Sequence, residues 1–320
     1  MTNFKSICGF CKKEDSRILY PTFDVFGNNF TINRCNCCKA YFLAPRPDSE
    51  LLAKAYDDSY YGKKDEKFEG LVEKFINYFR NKRAERLSKY LRDEATVLDI
   101  GCGNGKFLQS LLHFGKYHLN GIEMEGNSAK RAARITEINL KIGALQPDDF
   151  KKESVDAISL FHVFEHLTEP KETLDILTGI IKKDGILMIS VPNIDSFQSR
   201  MFKGKWLHLD PPRHLFFFSP KDFKELMLTY GFEVLEEKHF ITEQNPFGMV
   251  QSILNCFTKK REVLYEALKG NTDYAKDYSR FNLGLQRWFF LITLPLFICT
   301  DLIASMFQKG ATVEYIFKKK

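Results

Sequence analysis

Residues 97–105 read VLDIGCGNG, and this stretch decides the fold. A short, mainly apolar run leads into a turn with glycine at every second position, which is typical of a buried strand that meets a helix. Glycines at this spacing let the backbone bend sharply and let a ligand lie against it without a side-chain clash. Apolar residues then recur at helical spacing; they are Phe107, Leu108, Leu111 and Leu112. The stretch therefore predicts a strand, a ligand-binding turn and a helix.

The same alternation of strand and helix continues toward the C-terminus. Further strands are predicted at residues 119–123, 155–160, 186–191, 232–240 and 311–317. A crossover helix is marked by Leu174, Leu177 and Ile181. Such alternation predicts a doubly wound, mainly parallel α/β sheet with helices on both faces.

An acid ends the second of these strands, about 20 residues after the glycine turn, at the position where dinucleotide-binding folds place a ribose-binding carboxylate. This acid is Glu123, and its carboxylate can accept hydrogen bonds from both hydroxyls of a ribose. The glycines are spaced more closely than in the dinucleotide fingerprint. A ligand without a diphosphate does not need the third glycine of that fingerprint, so the pattern predicts a nucleoside site.

In its ordered motifs the chain resembles class I S-adenosylmethionine-dependent methyltransferases. The matching segments are residues 97–105, 121–123, 161–167, 182–185 and 191–193. The resemblance covers residues 96–240 and the last strand, and it implies a seven-stranded Rossmann-like sheet. It implies S-adenosylmethionine as cofactor, contacted by Asp99, Ile100, Gly101, Cys102, Gly103, Gly105, Glu123, Met124, Leu145, Phe161 and His162.

The resemblance also implies a role for each part of that set. Glu123 would bind the ribose, Met124 and Leu145 would flank the adenine, and Phe161 and His162 would lie beside the methionine portion. Many relatives carry an acid for the adenine amine near Gly143, where this chain has Ala144, and Asp148 or a backbone group would have to take its place. The adenine contact is therefore the part of the site that departs from the family pattern.

Histidines supply the candidate catalytic groups, His166 and His214, because an oxygen or carbon nucleophile benefits from a general base near neutral pH. His162, Glu165 and His166 share one face of a helical turn. The resemblance to quinone O-methyltransferases, some of which use such groups to bind a divalent metal, implies a metal site here. The favoured alternative is that Glu165 and His166 pin the loop, because two histidines and one acid make an incomplete site. Arg213 indicates either an anionic acceptor or an ion pair.

Cysteines cluster at the N-terminal end, where five of the eight precede residue 40. Two C-x-x-C pairs, Cys8 with Cys11 and Cys35 with Cys38, are separated by 23 residues, a spacing suited to a tetrahedral structural zinc site. Cys37 is a spare thiol beside the second pair. Reactive or disulfide-bonded cysteines remain the alternative. The module is expected to be structural, or a lid over the acceptor.

The chain is thus predicted to have four parts. They are a zinc-ribbon-like module at residues 1–45, a helical linker at 46–95, the methyltransferase domain at 96–240 plus 311–320, and an apolar helical insertion at 241–310. Residues 288–307 approach the length that spans a bilayer, but a single crossing would separate the last strand from its sheet. We expect a helical hairpin with residues 247–257, either buried on the domain or in peripheral contact with a membrane.

The predicted function is methyl transfer to an oxygen or carbon of a small-molecule or lipid-linked acceptor of glycan or quinone type. The N-terminus lacks a secretory pattern, which favours a cytoplasmic protein with membrane contact through the insertion. The rivals are a non-catalytic adenosyl-ligand module and a nucleic-acid methyltransferase that uses the zinc module. A net charge of +6 without a basic stripe, and the lack of an Asn/Asp-Pro-Pro-Tyr motif, argue against nucleic acid. The sequence does not indicate an oligomeric state.

Overall fold

The structure is a computed structural model that describes residues 6–56 and 71–320. Residues 57–70, which belong to the predicted helical linker, lie outside the described residues. The chain divides into two compact units. Of the described residues, the first unit contains 6–56, 192–223 and 238–313, and the second contains 71–191, 224–237 and 314–320.

Strands and helices are numbered separately in chain order over the described residues. The strands are β1 (Ser16–Phe23), β2 (Asn29–Cys35), β3 (Tyr41–Ala44), β4 (Ala95–Ile100), β5 (Tyr117–Glu123), β6 (Ile138–Ile142), β7 (Val155–Phe161), β8 (Ile181–Pro192), β9 (Phe216–Phe217), β10 (Phe232–Lys238) and β11 (Thr312–Lys319). The helices are α1 (Ser49–Ala55), α2 (Leu71–Ser88), α3 (Lys106–Leu111), α4 (Asn127–Ala132), α5 (Pro170–Ile180), α6 (Phe197–Phe202), α7 (Pro220–Thr229), α8 (Asn245–Phe257), α9 (Val263–Leu268), α10 (Thr272–Ala275) and α11 (Arg280–Met306).

The second unit is built on a seven-stranded sheet in the order β10-β11-β8-β7-β4-β5-β6. Strands β4 to β8 pair in parallel. The chain runs outward from β4 through β5 to β6 and then continues with β7 and β8 on the other side of β4. This confirms the doubly wound, mainly parallel fold. In such sheets ligands bind outside the carboxyl ends of the strands where the direction of winding reverses, which here is beside β4 and β7.

Two details of this sheet differ from the sequence prediction. The pattern analysis did not identify β6, which is short, lies at the sheet edge and alternates apolar with polar residues. Strand β8 begins at Ile181, directly after α5, whereas its start was predicted at residue 186. Within the strand, Asp184 has a positive φ of 64°, and the register against β7 shifts between the pairs Val155–Ile181 and Ala157–Ile186.

The core of the second unit lies between this sheet and two helices, α2 before β4 and α3 after it. Strand β4 contributes Val97, and α3 contributes three apolar side chains from the helical pattern that the sequence shows. The buried residues of this cluster are Ala84, Leu87, Val97, Cys102, Phe107, Leu108, Leu111, Leu119, Ala132, Ile138, Ala157, Ile186, Met188 and Ile316. Burial of this surface fixes β4 and α3, and so fixes the glycine turn between them.

The first unit contains a four-stranded sheet in the order β1-β2-β3-β9. All its pairings are antiparallel, and the last joins Tyr41 to Phe217 and Phe42 to Phe216. Its core includes a fully buried Trp206. The fully buried Arg261 donates to the carbonyl oxygens of Gly204 (2.7 Å) and Trp206 (2.7 Å). These bonds tie residues of the predicted insertion to the loop before β9.

The insertion forms the predicted helical pair in the first unit, α8 against α11. The rings of Phe247 and Phe290 meet edge to face with their centroids 5.6 Å apart. Asn245 donates through Nδ2 to the Oδ2 atom of Asp301 at 3.1 Å. By length and composition, α11 is the one helix among the described residues that could cross a membrane.

Candidate cofactor site and cysteine cluster

The loop after β4 depends on three glycines with left-handed backbone conformations. Gly101, Gly103 and Gly105 have φ values of 68°, 60° and 73°, a region in which a side chain is strained. The amide groups of Gly101 and Cys102 both donate to the carbonyl oxygen of Ile122, at 2.8 and 3.0 Å. These bonds hold the loop against the end of β5.

Glu123 ends β5 and turns its carboxylate toward this loop. Its Oε2 atom accepts a hydrogen bond from the amide of Gly103 at 2.6 Å, and its Oε1 atom accepts one from the amide of Met124 at 3.0 Å. The side chain is buried, and burial raises the pKa of Glu123. Each carboxylate oxygen has a second lone pair, so the group can also accept hydrogen bonds from two hydroxyls of a ligand.

A second buried carboxylate, Asp99, lies on β4 just before the loop. Ser159 donates from its hydroxyl to Oδ1 of Asp99 at 2.7 Å across the β4–β7 pairing. Burial, with a smaller contribution from Glu123, raises the pKa of Asp99 to about 7. Ser159 was not identified from the sequence, although a hydroxyl inside a buried apolar strand is a usable signal. Two buried acids make this end of the sheet favourable for a positively charged ligand group.

The remaining predicted cofactor residues surround the same strand ends. Phe161 packs edge to face on Phe107 with centroids 4.7 Å apart. The amide of His162 donates to the carbonyl oxygen of Ser190 at 3.0 Å, and its Nδ1 atom lies 3.3 Å from Oε1 of Glu165. The role of Glu165 and His166 in holding this loop stays a prediction.

The predicted adenine-flanking residues lie on the Glu123 side. Met124 is exposed, and Leu145 is half-buried in the segment that follows β6. Gly143, in that segment, donates through its amide to the carbonyl oxygen of Glu123 at 2.8 Å. Ile100 and Cys102 are buried, so they support the loop by packing in the interior of the unit.

The two predicted catalytic histidines belong to different units. His166 ends a short 3-10 turn in the second unit, and its amide donates to the carbonyl oxygen of Val163 at 3.0 Å. His214 is buried in the first unit, with Nδ1 at 2.8 Å from the carbonyl oxygen of His208. A carbonyl can only accept, so the neutral ring carries its proton on Nδ1 and has its basic nitrogen at Nε2. The catalytic roles of both residues remain predictions.

Arg213, the neighbour of His214, forms an ion pair within its own loop. Its Nε atom donates to Oδ2 of Asp210 at 3.0 Å, and a second nitrogen contacts the other carboxylate oxygen. Nη1 also donates to the carbonyl oxygen of Ala55 at 3.3 Å. Of the two alternatives for Arg213, the structure shows the ion pair.

The four cysteines of the two C-x-x-C pairs come together in the first unit, with their sulfur atoms all within 4.8 Å of one another. The Sγ atoms of Cys8 and Cys38 are 3.6 Å apart, and those of Cys11 and Cys35 are 3.5 Å apart. These separations are too long for disulfides. They match the edges of a tetrahedron of sulfurs around a metal at about 2.3 Å. The hydrogen bond between the Cys8 and Cys38 thiols lowers the pKa of Cys8 and raises the pKa of Cys38, which favours the thiolate at Cys8.

Alanine substitutions should distinguish the role of Gly101, which is expected in folding of the loop, from that of Gly103, which is expected in ligand binding. A Cβ at Gly101 would overlap the side chain of Val163, whereas one at Gly103 would meet nothing within 4 Å. We expect Gly101→Ala to cost about 2–3 kcal/mol of stability. Gly103→Ala should lower the free energy of unfolding by about 1 kcal/mol, because its backbone is left-handed. It should weaken the binding free energy of the nucleoside by more than that. Chemical denaturation and calorimetric titration of both variants would test this, and equal effects on both measurements would contradict it.

Comparison with known families agrees with this site. Residues 72–237 match the model of a family described as "Methyltransferase domain". The ubiquinone biosynthesis O-methyltransferase of Glaesserella parasuis is 31% identical over an alignment of 107 residues that covers 30% of this chain and 45% of that protein. An uncharacterized protein of Methanocaldococcus jannaschii is 31% identical over 146 residues, 45% of this chain and 50% of its own. The chain thus spans about half the length of these curated relatives.

A solved structure shows the same fold. It is the crystal structure of a "putative sarcosine dimethylglycine methyltransferase" from Galdieria sulphuraria, with a TM-score of 0.51 and 15% identity. The alignment covers 84% of this chain and 98% of that chain. At this level of identity the likeness concerns the fold alone.

Proposed function

The chain belongs to the methyltransferase-domain family, as a class I S-adenosylmethionine-dependent methyltransferase, and from this premise we propose that it methylates an oxygen or carbon of a small-molecule or lipid-linked acceptor. One observation carries the donor side of the proposal. The carboxylate of Glu123 is held by the amides of Gly103 and Met124, beside a loop in which three glycines have positive φ. That arrangement suits a ribose with two free hydroxyls.

The donor site provides position and charge. S-adenosylmethionine supplies an electrophilic methyl group on a positively charged sulfur. Glu123 would accept hydrogen bonds from the ribose, and the positive charge of the bound cofactor would favour the ionised forms of Asp99 and Glu123, whose pKa values burial raises. The main task left to the protein is alignment of the acceptor with the methyl group. A hydroxyl or activated carbon must also lose a proton, for which His166 and His214 are the proposed bases.

The acceptor class rests on two observations. A stretch of the chain is similar to a ubiquinone biosynthesis O-methyltransferase, which supports oxygen as the acceptor atom and a quinone-type molecule as one candidate. The sequence has no Asn/Asp-Pro-Pro-Tyr motif, which argues against amino groups of bases. A glycan acceptor carrying hydroxyls would use the same chemistry. The proposal is thus an oxygen or carbon acceptor of glycan or quinone type.

The cysteine cluster is proposed to hold one structural zinc ion through Cys8, Cys11, Cys35 and Cys38. The tetrahedral spacing of the sulfurs supports this assignment. Zinc bound there would link β2 to the N-terminal turn that precedes β1. None of the cysteines in the described residues forms a disulfide, which suits a reducing compartment and supports the cytoplasm as location.

Transfer of a radiolabelled methyl group would test the acceptor class. The wild-type protein is incubated with labelled S-adenosylmethionine and, separately, a catechol, a total lipid extract or transfer RNA. We expect label in the catechol or lipid fraction and none in RNA. His166→Asn or His214→Asn should lower kcat by about 100-fold or more if that histidine is the base, with unchanged affinity for the demethylated cofactor. Label confined to RNA, or cofactor binding without transfer to any fraction, would overturn the proposal.

A further inference from the structure

One face of α11 is apolar and exposed along its whole length. Its residues recur at intervals of three and four, which places them on one side of the helix. The line consists of Phe281, Leu285, Trp288, Ile292, Leu296, Cys299, Ile303 and Met306. At 1.5 Å per residue, it is about 38 Å long. A continuous apolar surface of this extent marks a binding surface.

The opposite face of α11 is attached to the first unit. Asp301 is buried and accepts from Asn245, whose Oδ1 atom in turn accepts from the hydroxyl of Thr312 at 2.7 Å. Helix α8 also buries Gln251 and Asn255, which hydrogen-bond each other at 3.0 Å. A helix pair that carries this polar network cannot enter hydrocarbon without a large desolvation cost. Helix α11 can therefore offer its outer face to a partner but not cross a bilayer.

The charges of the helix identify the chemistry of the partner. Between residues 280 and 306 the charged residues are Arg280, Arg287 and Asp301. The acid is buried, whereas both arginines are exposed. The arginines are seven residues apart, so they lie on one line along the edge of the apolar face. Arginines at the edge of an apolar face can keep their charge at the level of phosphate groups when the face is buried in lipid.

A second copy of the chain fits this face less well. Pairing of two identical α11 faces would bring arginines into the contact without an acid of the helix to balance them, because Asp301 points into its own unit. The exposed Trp288, in the N-terminal third of the face, also suits the interface between water and lipid, where tryptophan is enriched.

We propose that the outer face of α11 binds the surface of an anionic lipid bilayer, with the helix lying in the plane of the interface. This surface belongs to the first unit, and its binding to lipid does not depend on the proposed acceptor. Such binding places the protein at the membrane, where a lipid-linked acceptor would be reached without leaving the bilayer.

Intrinsic fluorescence offers a direct test, because the chain has two tryptophans in opposite environments. Trp206 is fully buried, whereas Trp288 is 65% exposed, so a lipid-induced blue shift reports on α11. The full-length protein is mixed with phosphatidylcholine vesicles, with or without phosphatidylglycerol. We expect co-sedimentation, a blue shift and quenching by brominated lipid. Two arginines should give about 25-fold tighter binding to the anionic vesicles, at about 1 kcal/mol each.

A matched pair of variants isolates the helix. Ile292 and Ile18 are equally exposed, at 70% and 68%, but Ile18 lies on β1. Ile292→Gln combined with Leu296→Gln should weaken vesicle binding at least tenfold, whereas Ile18→Gln should not change it. Both sets replace exposed side chains, so thermal melting should stay unchanged. Arg280→Gln with Arg287→Gln should abolish the preference for anionic vesicles.

Three outcomes would overturn the inference. The wild-type protein fails to bind vesicles, or it binds them as well after the α11 substitutions, or it binds without regard to lipid charge. Sedimentation velocity without lipid tests the alternative that a second copy of the chain covers this face. If the wild type forms dimers and the α11 substitutions dissociate them, the face is a dimer interface. Vesicle binding needs neither cofactor nor acceptor, so failure here is distinguishable from failure of the proposed function.

Discussion

Glu123→Gln is expected to lower the affinity for S-adenosylhomocysteine by about 100-fold or more. The carboxylate accepts from two backbone amides and has lone pairs for two ribose hydroxyls, whereas the amide of glutamine has a single accepting oxygen. Each charge-assisted hydrogen bond lost from a buried site is worth about 1.5–3 kcal/mol, so the loss of one or two gives this range. Isothermal titration calorimetry of both proteins measures the effect.

Glu125→Gln is the control, because it removes an acid two residues away that is exposed. It lowers the net negative charge by the same amount but should leave the affinity within about twofold. Thermal melting without ligand would show whether Glu123→Gln also disturbs the loop. Equal affinities for the wild type and Glu123→Gln would remove the assigned ribose contact and with it the central claim about the site.

Removal of zinc should cause the second large effect. We expect the purified protein to contain about one zinc per chain, and chelation or Cys35→Ser to lower its melting temperature by about 10 °C. A structural zinc contributes folding free energy directly, and a loss on the order of 5 kcal/mol is expected where a packed core remains in the same unit. Elemental analysis and differential scanning calorimetry measure both quantities.

Cys37→Ser provides the matched control, since Cys37 is exposed and stands outside the cluster of four sulfurs. It should keep its zinc and its melting temperature. Cobalt(II) substitution would add a spectroscopic check, because thiolate coordination gives a charge-transfer band that Cys35→Ser should change and Cys37→Ser should not. A metal-free wild-type protein with an unchanged melting temperature would leave the cysteines without a ligand role.

The sequence alone determined the features that depend on neighbouring residues. The glycine loop needs only its own three left-handed positions, and the buried parallel strands β4, β5, β7 and β8 are visible as apolar runs, whereas the edge strand β6 is not. The two C-x-x-C pairs likewise predicted a cluster that the structure brings together. Each of these features depends on residue types or spacings that are visible in the sequence itself. The causes are a backbone angle, the burial of a strand and the spacing of metal ligands.

Tertiary structure alone decided the features that join distant parts of the chain. Phe216 and Phe217 complete the sheet that contains Cys35, and Arg261 bonds to carbonyls more than 50 residues away. Ser159 was placed on Asp99 by strand order, and Asp301 was turned inward by its bond to Asn245. Such pairings arise because each buried polar group must find a partner wherever the fold brings one. A short stretch of sequence does not show which distant residue will become that partner.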